Sequence, residues 1–317
     1  MIDESFMFAA RMELSTCLHR LYNVLTIAMY PFRPLLMIAF ASALCAQAPP
    51  DAAEQTRIIE SLREAALAYD GNLPNFICTQ VTRREVRAEP KDLAGVKAAP
   101  GGRGGSRSLN DVKSAQWEPV DSREEQLTYF GHRENYELLA LNGKPVAHGQ
   151  TAPPGMTSSG EFGSALSGIF DPRSHADFEW KRWDTLRSQP VYVFAYKIAK
   201  ENSVSQLDAA GVRVVVGYHG LVFADRTTRQ VMRVTTEVES PRNFPLRTVA
   251  KVLDYGQAVI AGEHFLVPLH GEMEMRTSTD FMQYGRLGGN SPEVTLRNDT
   301  DFRAYRKYGV ETTLKPE

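Results

Sequence analysis

Cysteine is nearly absent from these 317 residues, which hold three, at Cys17, Cys45 and Cys78. A single thiol beyond the first 48 residues cannot form an internal disulfide, so the fold must rest on packing even in an oxidising compartment. Charge of one sign is lacking too. With 36 Lys and Arg against 38 Asp and Glu, the formal net charge is −2, which gives no long-range pull toward nucleic acid or anionic lipid. Nucleic acid is therefore not expected as a partner.

Several chemical signatures are also missing. There is no HExxH, and His132, His148, His175, His219, His264 and His270 are scattered; His264 and His270 lie six apart, near Glu263 and Glu272. Cys78 has no second thiol for a zinc knuckle, so no metal and no cofactor is expected. Gly-x-Ser-x-Gly is absent, and Ser164 lacks the strand that would feed a nucleophile elbow. The glycines at 101–105 lead into no Gly-Lys-Ser or Gly-Lys-Thr, and Gly143-Lys144 is followed by Pro145. Glu161, Asp171, Asp177 and Glu179 could supply an acid pair, but acidic residues in connecting segments are too common to single one out. No catalytic residue is assigned, and a hydrolase would need a site gathered from distant positions.

An unbroken apolar run of bilayer length, about 20 residues, is likewise lacking. Residues 34–46 (PLLMIAFASALCA) follow Arg33 and have the length and small-residue ending of an export signal, with cleavage after Ala46 or Ala48. Leu44 is bulky where lipoprotein processing before Cys45 wants a small residue. An uncleaved anchor reaching back to Leu25 is the alternative, interrupted by Pro31, Phe32 and Arg33. The expectation is an N-terminal extension and signal peptide at 1–48, a periplasmic or secreted location, and no permanent membrane span after cleavage. Residues 49–317 then form one domain with flexible insertions near 89–113 and 143–159.

Within that domain, Asp51 can cap a helix through Tyr69, with Ile58, Ile59, Leu62, Ala65, Ala66 and Tyr69 at helical spacing and a stop at Gly71-Asn72-Leu73-Pro74. Strands are predicted over 76–87, 125–130, 135–141, 178–186, 191–199, 212–218, 221–224, 231–238, 248–260, 264–269 and 272–276. Asn142-Gly143 is a turn, and 160–170 is expected to form two helical turns with Phe162, Leu166, Ile169 and Phe170 on one side. Residues 298–308 read as a last edge strand or short helix. Alternation such as Met232 and Val234 against Arg233 and Thr235 means strands with one wet face, hence antiparallel pairing. Residues 191–198 are apolar in both parities, so that strand is covered on both faces or lines an apolar groove. In Gly220–Val234 (GLVFADRTTRQVMRV), Asp225 is the natural start of a turn, accepting from amides two and three residues on, rather than the acid of a dyad with His219. His219-Gly220 is expected to bend or bulge the chain.

The strand, Asp and Thr turn, strand arrangement of Gly220–Val234 resembles a hairpin of periplasmic lipoprotein-sorting carriers of the LolA and LolB type. The order of signal sequence, amphipathic helix and antiparallel strands does so too. Leu73–Cys78, Gly160–Gly163 and Asp254-Tyr255 before Phe265–Pro268 are similar to a group of secreted bacterial proteins of unassigned activity. The likeness implies a mainly β fold with α: a strongly curved antiparallel sheet, a half-barrel, covered by the amphipathic N-terminal helix. It also implies that Ile58, Leu62, Tyr69, Tyr192, Phe194, Tyr196, Met232 and Val234 could line a space for an apolar ligand. Three functions follow in order: an envelope protein binding or carrying a lipid or acyl chain, a non-catalytic scaffold with an envelope protein partner, and a hydrolase. The candidate cargo is a lipid or a lipoprotein. An exposed aromatic patch at Trp180 and Trp183 would favour the scaffold.

Overall fold

The computed structural model describes residues 48–88, 116–157, 160–209, 211–242, 244–279, 281 and 292–309. The export signal and the glycine-rich insertion at 89–113 lie outside the described residues. Helix α1 (Ala52–Asn72) begins where Asp51 caps it, the carboxylate accepting the Glu54 amide at 2.7 Å. Its buried stripe of Ile58, Leu62, Ala66 and Tyr69 packs into the main core, and each fully buried aliphatic side chain there contributes about 1.5–3 kcal/mol. Arg63 Nε donates to the Phe170 carbonyl (3.2 Å), tying α1 to the short helix α2 (Ser164–Phe170), which buries Leu166, Ile169 and Phe170.

The strands are β1 (Phe76–Ala88), β2 (Glu118–Phe130), β3 (Arg133–Leu141), β4 (Lys144–Pro145), β5 (Asp177–Leu186), β6 (Gln189–Ile198), β7 (Gln206–Ala209), β8 (Val212–Val215), β9 (Tyr218–Asp225), β10 (Val231–Val238), β11 (Leu246–Ile260), β12 (Glu263–Ser278) and β13 (Glu293–Lys307). Eleven form one sheet in the order β4-β3-β2-β1-β13-β12-β11-β10-β9-β6-β5; β7 and β8 form a separate pair. Each pairing in the large sheet is antiparallel, and hairpin-length connections join five of the ten neighbouring pairs.

The expected strongly curved half-barrel is corrected. The hydrogen-bonded order is linear and its edges, β4 and β5, do not pair, so the protein is a helix-and-sheet structure built on an open sheet, neither curved nor closed into a barrel. Side-chain alternation records which face is dry; it says nothing of bending or closure, and the half-barrel came from the resemblance alone. Residues 298–307 are likewise part of an interior strand, β13, held between β1 and β12, and Tyr308 lies just past its end.

Strand β6 is covered on both faces. Tyr192, Phe194, Tyr196 and Ile198 enter the main core, whereas Val191 and Val193 pack with Phe223 in a small second cluster. The β9–β10 turn settles the role of Asp225. Its Oδ1 accepts from the Thr227 amide (2.8 Å), the Thr228 amide (2.7 Å) and the Thr228 hydroxyl (3.1 Å), while His219 sits at the far end of β9 with Nε2 3.6 Å from Glu237. Gly220 marks a close approach, not a bulge. The pairing with β10 keeps its register there, and a Cβ would fall 1.9 Å from the Thr235 carbonyl oxygen.

Burial pushes the Asp225 carboxyl up, but the Thr228 and Thr227 amides and the Thr228 hydroxyl together outweigh it and hold the group below its usual range. Asp225→Ala is expected to cost about 1–3 kcal/mol at neutral pH, read as a lower urea midpoint. Since the folded value is depressed, this stabilisation is present above the unfolded carboxyl value of about 3.9 and is lost as pH falls through the folded value. The gap between wild type and variant therefore shrinks in acid; a gap that widens there would contradict the turn assignment.

Candidate functional site

One parity of β1 carries Phe76, Cys78, Gln80, Thr82, Arg84, Val86 and Ala88 toward the core. The ends of this row are apolar, and its middle is polar. Phe76 and Cys78 belong to the main core and Val86 to a second cluster with Met156, Met275, Val294 and Leu296. Register extends the polar interruption sideways. Gln80, Thr82 and Arg84 stand opposite Glu125, Arg123 and Asp121 of β2, and Thr82 and Arg84 stand opposite Thr300 and Asn298 of β13. Beyond β13, Thr300 faces Gly271 of β12, and Met273 of β12 faces Lys251 of β11. A polar band thus crosses five neighbouring strands between two apolar clusters.

The chain after β4 runs across this band, described at 146–157 and 160–163. Arg123 Nη2 donates to the carbonyls of Pro153 and Pro154, Arg84 Nη1 to that of Pro154 (3.2 Å), and Asn298 Nδ2 to that of Met156 (2.9 Å). Farther on, Glu134 of β3 accepts the amides of Gly160 (3.0 Å) and Phe162 (3.2 Å) and the hydroxyl of Tyr136 (2.6 Å). Glu161, 3% exposed, pairs with Lys251. Side chains of the band and of β3 thus hold the backbone of this strap at Pro153, Pro154, Met156, Gly160 and Phe162.

The band and the described strap residues Met156, Thr157 and Glu161 line a cavity of about 330 Å³, at the low end of the roughly 300–1,000 Å³ common for small-molecule sites. Its polar lining includes Gln80, Thr82, Arg84, Arg123, Glu125 and Lys251, and its apolar lining Met156, Met273 and Phe302. Glu272 also lines it, from the other side-chain parity of β12, beside Gly271. At Gly271 an added Cβ would meet only ordinary contacts, the nearest being Leu253 Cδ1 at 3.5 Å. The missing side chain keeps the cavity open.

Arg84 and Asp121 form a two-armed pair, with Nε to Oδ1 at 2.6 Å and a second bond through Nη2. Arg123 Nε lies 3.7 Å from the same Oδ1. Burial, and then the Arg84 charge, push the Arg123 guanidinium below its usual range. Burial pushes the Glu125 carboxyl up against the Arg123 charge and a hydrogen bond from Gln80 Nε2 (3.1 Å). The Tyr136 phenol is pushed up by burial and by the charges of Glu161 and Glu134. Such a site can hold and orient a polar group while apolar walls take the rest of a molecule. Among the described residues no group of three His, Cys, Asp or Glu could hold a metal. Cys78, pushed up to about 12 chiefly by burial, is an inert thiol.

Of the eight residues named from the sequence, Ile58, Leu62, Tyr69, Tyr192, Phe194, Tyr196 and Val234 meet in the main core. Met232 packs instead beside Val191 and Val193 on the opposite face, because a register shift between Val231 and Arg233 moves it across the sheet. None of the eight lines the cavity described above. The band residues were missed, though their signal was present. Gln80, Thr82 and Arg84 hold the same parity as Phe76, Cys78 and Val86, so polar side chains there had to face inward.

No family model matches the chain, and no curated protein does. Among solved structures it is similar to a DUF1329 family protein from Desulfovibrio piger, at 9% identity over 81% of this chain and 95% of that one, with a TM-score of 0.34. A LolA superfamily protein from Nitrosomonas europaea shares 12% identity over 81% and 94%, with a TM-score of 0.30. The Pseudomonas aeruginosa MucA/MucB complex shares 10% over 79% and 99%, with a TM-score of 0.20. These are weak likenesses, one of them to the superfamily that the hairpin resembles, and they carry neither a family nor an activity to this chain.

Proposed function

We propose that the protein is an exported, non-catalytic binding protein of the cell envelope that holds a small molecule between the strap and the polar band. The cavity carries this proposal: it opens where an apolar row of side chains on β1 turns polar, between two apolar clusters. A ligand there sets apolar atoms on Met156, Met273 and Phe302, each buried methylene contributing about 0.8 kcal/mol, and polar atoms on the band. The residue 34–46 run supports export, and among the described residues no helix is long and apolar enough to cross a membrane. The scaffold alternative draws less support. Trp180 and Trp183 are half-buried, with ring centroids 4.7 Å apart, and both pack on the main core.

Gly271→Leu tests the proposal, because the backbone at 271 accepts a side chain and the cavity is what it fills. Native mass spectrometry of the full chain, released gently from an envelope fraction, is expected to show a stoichiometric small molecule on the wild type. The variant is expected to carry at least tenfold less, with an unchanged circular dichroism spectrum and an equal or higher melting temperature. Equal loading of the two chains, or empty spectra from both, rejects the cavity as a binding site.

A further inference from the structure

The inference rests on the proposed cavity site and specifies what it takes. Within the band, Lys251 and Glu161 neutralise each other, and Asp121 answers Arg84 through two hydrogen bonds. Among the described lining residues that leaves Arg123 as a cation whose near carboxylate is shared, and Glu125 and Glu272 as carboxylates outside any ion pair, Glu125 on the same strand and face as Arg123. Arg123 is 4% exposed, and Nη2 serves the Pro153 and Pro154 carbonyls, both neutral acceptors. Among the described residues, the carboxylate within 4 Å of Arg123 is Asp121, at 3.7 Å and already engaged by Arg84. Glu125 accepts from Gln80, a neutral amide, and among the described residues it makes no ion pair.

Arg123 and Glu125 form no ion pair within 4 Å of each other, although each charge acts on the other. They are two positions apart on one face of β2, which separates them by about 6.5 Å along the strand, and both line the cavity. The strand therefore carries a cation and an anion two positions apart, both on the cavity wall. A neutral ligand adds no partner for either charge in this partly buried site, and a singly charged one adds a partner for only one of them. We propose that the ligand is a zwitterion, with an acid anion accepting from Arg123 and a primary ammonium donating to Glu125. Its apolar remainder lies on Met156, Met273 and Phe302. Two sources share this chemistry: a free apolar α-amino acid, and the phosphoethanolamine headgroup of a lipid.

Calorimetric titration of the full chain separates them. L-leucine and N-acetylleucine differ in the ammonium, leucine and leucinamide in the carboxylate; phosphoethanolamine and lysophosphatidylethanolamine form the lipid arm, with lysophosphatidylglycerol as its anion-only control. At least one zwitterion is expected to bind tenfold or more tightly than the analogue lacking either charge. Glu125→Gln, which keeps an acceptor for Gln80, is expected to abolish the preference for the ammonium; the analogue series on the wild type carries the test if that variant does not fold. Leucine binding identifies the amino-acid source, and binding confined to the lipid arm the headgroup; either sustains the proposal. Analogues that bind as well as their zwitterions overturn it. So does a molecule recovered from the cavity that lacks an ammonium, and this outcome leaves the cavity site standing. If Gly271→Leu and the wild type are equally empty and no compound binds, both readings fall.

Discussion

Asp121→Ala is expected to lower the folding free energy by about 3–5 kcal/mol, the usual cost of removing one partner from a buried ion pair. The side chains of Arg84 and Asp121 are each 10% exposed and that of Arg123 is 4% exposed, so water has little access to whatever charge is left behind. Without the carboxylate, two guanidiniums face one another across β1 and β2 with only strap carbonyls as acceptors. Arg84→Met should cost less, roughly 1–3 kcal/mol, because Asp121 then turns to Arg123 and no charge is stranded. The double variant Arg84→Met/Asp121→Leu is expected to be less damaged than Asp121→Ala alone, since buried pairs often give way to apolar residues at little net cost. Urea denaturation followed by circular dichroism ranks the three. A cost below about 1 kcal/mol for Asp121→Ala would mean that water reaches these arginines and that the band is not dry.

Phe76→Ala is the second large loss, at about 3–5 kcal/mol. The ring is fully buried and meets three others: Tyr129, stacked at 5.1 Å between centroids, Phe162 at 5.1 Å and Tyr305 at 5.4 Å. These partners come from β2, the strap and β13, so one side chain joins elements from three separate parts of the sequence. Cavity formation is the main cost, and each lost aromatic pair adds about 0.5–1.5 kcal/mol. The control is Phe130→Ala, at a ring 56% exposed, for which a change within about 0.5 kcal/mol is expected. The urea midpoint should fall for Phe76→Ala while the slope stays constant; equal midpoints for the two variants would refute the assignment of Phe76 to the core.

Local chemistry was legible in the sequence. The Asp51 cap, the stripe of α1, the Asn142-Gly143 turn and the Asp225 turn all depend on residues within a few positions of each other, and each stands as expected except that Ala65, assigned to the stripe, is exposed. Pairing between distant segments was not legible. Strand β12 read as two pieces because Pro268, His270 and Gly271 look like turn signals. In the sheet it is continuous: Asp254 faces His270 and Tyr255 faces Pro268, which leaves Leu269 as an unpaired extra residue, and a bulge is where a strand tolerates proline. The placement of β13 beside β1 could not be read from its own composition. The polar band combines both cases, since its inward parity was readable on β1 but its width across five strands needed the register.

The position of β13 also governs how the chain reaches its folded state. Synthesised after the other ten strands of the sheet, this strand fills the slot between β1, made some 200 residues earlier, and β12. Until it inserts, both neighbours carry open backbone edges, inviting to any passing β-segment. Such long-range closure is slow, so a chaperone that shields those edges should raise the yield of native protein more than any improvement in helix α1.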